Sequence, residues 1–124
     1  MPKKIDEEVM IILTDFIAAI DGKVLSTLAD PKKIQIMDGY VSDMLSDVMG
    51  SAKNGQVWIT IMKHLNVIAV ASMANMQAIT FAKGSTPDQA VIDKANEEEI
   101  CLISSPKSVF EISGILYTML HASV

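Results

Sequence analysis

The residues best suited to chemistry lie in two short polar segments, Gly39-Tyr40-Val41-Ser42-Asp43 and Lys63-His64-Leu65-Asn66, the second closing the apolar run Val57-Trp58-Ile59-Thr60-Ile61. An ammonium, an imidazole, an amide and a hydroxyl so placed can hold an anionic group through charge-assisted hydrogen bonds. Lys83 and the pair Ser104-Ser105 end two further apolar runs in the same way. His64 is the sharpest of these candidates, being one of only two histidines and carrying the side chain that titrates nearest neutrality; its plainer reading is an exposed turn residue. Ser42 reads equally well as a helix N-cap, and Gly39 as a turn glycine with positive φ.

Other chemistries lack their residues. There is no Gly-x-x-x-x-Gly-Lys-Ser/Thr phosphate loop, no strand-turn Gly-x-Ser-x-Gly nucleophile and no His/Cys cluster at zinc spacing. Cys101 is the single cysteine and sits in the apolar run Ile100-Cys101-Leu102-Ile103, so it reads as a core residue and cannot alone hold an iron–sulfur cluster. Asp43 and Asp47, four apart, would share a helix face, but two carboxylates do not complete a cation's coordination shell. No catalytic residue, metal site or cofactor is therefore assigned.

Composition narrows the partners. Half of the 124 residues are apolar, a fifth are charged, and the net charge is −5. All ten cations are lysine, and without arginine the bidentate reading of guanine and phosphate is missing, which argues against nucleic acid. The uncharged stretch from Leu65 to Ala82 approaches a membrane span in length. Asn66, Ser72, Asn75, Gln77 and Thr80 interrupt it, so it reads as a buried helix followed by a buried strand. The amino terminus has no apolar run before Asp6-Glu7-Glu8, unlike a secretory signal, and a cytoplasmic protein is expected.

The elements that must position the candidates follow from periodicity. Val9, Ile12, Leu13, Phe16, Ile17 and Ile20 predict a helix over 6–20, begun by Asp6, Glu7 and Glu8 and closed by Asp21-Gly22. Short strands are expected over 23–27 and 34–37, with a turn at Ala29-Asp30-Pro31-Lys32 between them. The chain then alternates: helix 42–50, strand 56–61, helix 66–75, strand 77–82, helix 87–98, strand 100–104, helix 107–120. Thr86-Pro87-Asp88-Gln89 and Ser105-Pro106 read as cap-and-proline helix starts. Such alternation predicts an α/β fold: one domain over 1–124, a three-layer α/β/α sandwich with a mainly parallel sheet of about five strands.

Ligands of open parallel sheets lie beyond the carboxyl ends of the strands. A rim of Gly39, Ser42, Lys63, His64, Asn66, Lys83, Ser104 and Ser105 is the expected binding site. The uncharged helix offers Ala69, Ala71, Ser72 and Met73 for burial in this subunit or against a second one.

The block Gly39-Tyr40-Val41-Ser42-Asp43-Met44-Leu45-Ser46-Asp47-Val48-Met49 closely resembles one from the DRTGG-domain family. Val57-Trp58-Ile59-Thr60-Ile61, His64, Asn66-Val67 and Ala69-Val70-Ala71-Ser72 resemble its next segment in order. Pro87-Asp88, Ala95, Glu97-Glu98, Ile103-Ser104-Ser105-Pro106 and Phe110-Glu111 resemble its last part. The resemblance spans about residues 5 to 120. Where the family carries Asp-Arg-x-x-Thr-Gly-Gly, this chain reads Lys33-Ile34-Gln35-Ile36-Met37-Asp38-Gly39, so only the last glycine is retained.

The resemblance implies a fold similar to the amino-terminal domain of HPr kinase. It also implies a dimeric, regulatory role, alone or attached to CBS-domain pyrophosphatases and phosphotransacetylases, with stand-alone members beside hydrogenase or other energy-metabolism genes. Two functions are thus expected: a non-catalytic domain binding a small anionic metabolite or nucleotide, or a structural homodimerisation or protein-interaction module without ligand. An enzyme is a third reading with no motif behind it.

Overall fold

The computed structural model describes residues 9–122. The chain runs β1 (Ile11–Ile12), α1 (Leu13–Ala19), β2 (Lys23–Val24), a 3-10 turn (Pro31–Lys33), β3 (Gln35–Ile36) and β4 (Asp38–Val41). It continues with α2 (Leu45–Ser51), β5 (Gln56–Thr60), α3 (Leu65–Met73), β6 (Ala78–Phe81), α4 (Gln89–Glu97), β7 (Cys101–Ser104) and α5 (Val109–Leu120). Five strands form one sheet in the order β2-β7-β6-β5-β4, while β1 and β3 pair separately. The β4–β5, β5–β6 and β6–β7 pairings are parallel, and β2 lies antiparallel to β7.

Strands β5, β6 and β7 are buried along their whole length, which is why their sequences are nearly continuous apolar runs. Alternate residues face opposite layers. Val57, Ile59, Ala78, Cys101 and Ile103 pack with Leu13, Phe16 and Ile17 of α1 and with Ile112, Leu116 and Leu120 of α5. Trp58, Ile79, Phe81 and Leu102 pack with Val48 of α2, Val67, Ile68 and Ala71 of α3, and Val91 and Ala95 of α4. Each parallel crossover steps to the next strand in the same direction, so right-handed connections place α2, α3 and α4 on one face. Helix α5 then returns over β4 and β5 on the other. The result is the three-layer α/β/α sandwich the periodicity predicts.

Several boundaries differ for identifiable reasons. The first helix begins at Leu13, because Ile11 and Ile12 pair with Ile36 and Gln35 and the Leu13 N–H donates to the Ile34 carbonyl at 2.8 Å; Asp6, Glu7 and Glu8 lie outside the described residues. The strand expected over 34–37 is β3, and a further strand that the periodicity does not predict, β4, follows it, so Gly39 sits inside the sheet and is not in a turn. Its φ is not positive; a Cβ there would stand 2.6 Å from Cδ2 of buried Leu116. Close approach of α5 to β4 is therefore what requires glycine.

At the end of α1 the left-handed residue is Asp21 rather than Gly22, and Asn75 and Glu99 play the same part after α3 and α4, with φ of 55°, 60° and 56°. In each case the following N–H reaches back to the helix: Gly22 to Ile17, Met76 to Ala71 and Ile100 to Ala95, at 2.8, 2.9 and 2.9 Å. These are Schellman closures built on non-glycine residues.

The helix starts also shift inward. Ser42, Thr86 and Ser105 are not N-caps; Met44, Asp88 and Ser108 occupy those positions, and Ser108 forms a capping box with Glu111. The residues expected to begin helices instead span the distance from the sheet to the helix layer.

The close approach at Gly39 has a measurable consequence. Gly39→Ala is expected to lower stability by about 1–3 kcal/mol through displacement of Leu116, read as a reduced urea midpoint with unchanged slope. An unaltered midpoint would show that Leu116 yields freely.

Candidate functional site

The carboxyl ends of β4, β5, β6 and β7 lie along one edge of the sheet, and the loops to α2, α3, α4 and α5 leave from it. The β4–α2 loop is latched by Asp43, whose Oδ1 accepts from Thr60 Oγ1 at 2.5 Å and from the Ile61 N–H at 3.1 Å. Ser42 Oγ accepts from the Met44 N–H at 3.1 Å, and the Ser42 carbonyl accepts from the buried Trp58 indole at 2.9 Å. Ser42 therefore shapes a tight turn. Asp43 does not share a helix face with Asp47, since α2 starts at Leu45; Asp47 instead accepts from the Tyr40 hydroxyl at 2.9 Å, which raises the tyrosine pKa.

In the β5–α3 loop, Lys63, His64 and Asn66 are exposed. His64 occupies the N-cap position of α3, but its side chain makes no capping bond; its carbonyl accepts from the Val67 N–H at 3.0 Å. Lys63, His64, Asn66 and Lys83 make no side-chain hydrogen bond to another described residue, which leaves four polar groups open to solvent at the strand ends.

The β6–α4 and β7–α5 loops are bound to each other. The Lys83 N–H donates to the Lys107 carbonyl at 2.8 Å and the Gly84 N–H to the Ser105 carbonyl at 2.7 Å. Ser104 Oγ donates to the Ser85 carbonyl at 2.9 Å, and buried Ser105 Oγ to the Ile20 carbonyl at 2.6 Å. Both serine hydroxyls are thus engaged inside the protein and hold the rim in shape.

Of the eight rim candidates, seven reach this edge. Gly39 does not, because it pairs with Val57 near the start of β5. Lys23 and Lys107 arrive there although no local signal marked them: Lys23 stands opposite Ser104 in an antiparallel register that only the sheet order determines.

The interface candidates separate. Ala71 is fully buried beneath α3 and Ser72 Oγ donates to Glu98 Oε1 at 3.0 Å. Ala69 is exposed, as is Met73. The uncharged helix is thus largely covered within its own chain, between α2 and α4.

At the opposite edge a groove of about 460 Å³ is lined by Asn54, Ser72, Asn75, Gln77, Glu98 and Glu99. It gathers the carboxyl ends of α3 and α4 together with carboxylates, a polarity that repels anions. Among the described residues no group of three or more His, Cys, Asp or Glu could hold a metal ion, and no helix is long and apolar enough to cross a membrane. Burial pushes the Cys101 thiol up to about 11, so it is no thiolate nucleophile near neutrality.

No protein-family model matches the sequence, and no curated protein matches it. The fold has a solved counterpart in the CBS and DRTGG domains of the regulatory region of Clostridium perfringens pyrophosphatase, a crystal structure complexed with the activator diadenosine tetraphosphate. The likeness has a TM-score of 0.72 at 16% identity and covers 87% of this chain and 46% of that one. The chain therefore spans less than half the length of this relative. What the likeness shows is the fold, a DRTGG-like α/β domain.

The engaged serines differ experimentally from the open side chains beside them. Ser105→Ala strands the Ile20 carbonyl and is expected to cost about 1–3 kcal/mol, measured by chemical denaturation. Unchanged stability would mean that water replaces the hydroxyl.

Proposed function

We propose that this chain is a cytoplasmic, non-catalytic regulatory domain that senses a small anionic metabolite or nucleotide at the rim. The observation that carries the reading is the set of exposed side chains of Lys63, His64, Asn66 and Lys83, without hydrogen-bond partners among the described residues and mounted on loops that internal hydrogen bonds hold in place. Exposed Val41, Met44, Ile61 and Leu65 surround the Lys63–Asn66 half, supplying apolar surface for the organic part of such a ligand. The helices α3, α4 and α5 begin here, and their positive ends favour an anion. Further support comes from the structural relative, a regulatory region complexed with a nucleotide activator.

A thermal-shift panel of adenine nucleotides and phosphorylated metabolites is expected to yield a stabilising ligand, by about 2.7 kcal/mol at a hundredfold excess over Kd. The effect should vanish in His64→Ala or Lys63→Ala. A panel with no stabilising member overturns the reading.

A homodimer is the second part of the proposal, and α5 is the surface that favours it. Phe110 is 87% and Tyr117 65% exposed, and Gly114 lies on the same helix face between them with nothing within 4 Å of a Cβ added there. A glycine inside a helix costs roughly 1 kcal/mol relative to alanine, and nothing among the described residues requires it. A second copy crossing at Gly114 would bury both aromatics. Sedimentation should then report a dimer for the native chain and a folded monomer for Phe110→Glu; a dimer that persists in this variant excludes the α5 surface. Ala71→Glu is no substitute, because it places a charge in the core and would unfold the monomer.

A further inference from the structure

The geometry points to a subsite for an oligophosphate chain at the β2–β7–β6 corner of the rim, formed by Lys23, Lys83 and Lys107. It rests on the rim reading above and names the part of the ligand held at one end of it.

Three separate segments bring these lysines together. Lys23 stands opposite Ser104 across the antiparallel β2–β7 pair. Lys83 and Lys107 adjoin through the 2.8 Å bond from the Lys83 N–H to the Lys107 carbonyl. Lys107 Nζ lies 3.5 Å from Asp21 Oδ2, two residues before Lys23. The backbones that carry them are stitched by the Ser104–Ser85, Gly84–Ser105 and Ser105–Ile20 hydrogen bonds, so the three lysines are carried on a set frame.

The local charge suits a chain of phosphates better than one phosphate. Asp21 and Glu111 both offset Lys107, Glu111 while it closes the α5 capping box. Lys23 and Lys83 have no carboxylate partner among the described residues. Lysine ammoniums act as compact point charges, and three of them on different segments match anionic oxygens spaced along an extended ligand.

Lys83 has a second peculiarity. Its φ is 63° and that of Gly84 is 68°, and the Ser85 N–H donates to the Ala82 carbonyl at 3.1 Å. This is a two-residue turn for which Asn-Gly is the usual choice. The other left-handed non-glycine residues, Asp21, Asn75 and Glu99, each close a helix. Lys83 instead lies in a turn two residues beyond β6, in a conformation that asparagine or glycine would adopt more readily. Backbone strain retained at a ligand-facing position is a signature of function.

Calorimetric titration of the full chain with inorganic tripolyphosphate, and separately with ATP, tests the assignment. Tripolyphosphate is expected to bind, with affinity falling as salt is raised and by up to about fivefold in each of Lys23→Ala and Lys107→Ala. Lys83→Gly is the decisive variant: it removes the strain, so the unliganded melting temperature should rise while tripolyphosphate affinity falls. Lys53→Ala, at the other edge of the sheet, should bind as the native chain does. Tighter binding of ATP would assign the phosphate chain to a nucleotide, and equal binding to the phosphates alone; either supports the subsite. Tripolyphosphate binding that none of the three lysine variants weakens overturns it. So does an absence of tripolyphosphate binding while another anion stabilises the chain through His64, an outcome that leaves the rim reading intact. If no anion binds at all, both fall.

Discussion

Burial of β5, β6 and β7 on both faces is the constraint from which the rest of this molecule follows. With helices above and below, the middle of each strand favours apolar or internally bonded side chains. Every group able to meet a ligand is therefore displaced to one of the two edges where the chain leaves the sheet. Of the polar groups that remain inside, Gln56 bridges the Lys53 N–H and Asp38 and the Trp58 indole finds the Ser42 carbonyl, whereas the Thr80 hydroxyl in β6 has no partner among the described residues.

The two edges differ in polarity because the helices between successive parallel strands all run the same way. Helices α2 to α5 start at the rim and end at the far edge, so their dipoles add in one direction. Lys23, Lys63, Lys83 and Lys107 stand at the rim, whereas Glu98 and Glu99 line the groove at the far edge. Carboxylates stand at the rim as well, but Asp21 faces Lys107, Asp43 latches the β4–α2 loop and Glu111 closes the α5 capping box.

Rigidity and openness are divided among the rim residues. Asp43, Ser104 and Ser105 bind one loop to another or to the sheet, while Lys63, His64 and Lys83 reach into solvent. Such a division leaves polar side chains in solvent on loops whose backbones are held in place.

The sequence by itself determined the layer architecture, the run of alternating strands and helices from β5 onward, and most of the rim. Those features depend on local periodicity and on apolar runs that admit one kind of burial. What only tertiary structure decided is how residues distant in sequence share space. Gly39 is needed for the approach of Leu116, 77 positions later in number, and its strand was invisible because β4 is short and half exposed. Ser42 and Ser105 resemble helix caps in any local window, yet a neighbouring turn and the Ile20 carbonyl claim their hydroxyls. Lys23 joined the rim because β2 pairs antiparallel with β7, and strand order is set by the packing of both cores at once, which no window of sequence contains.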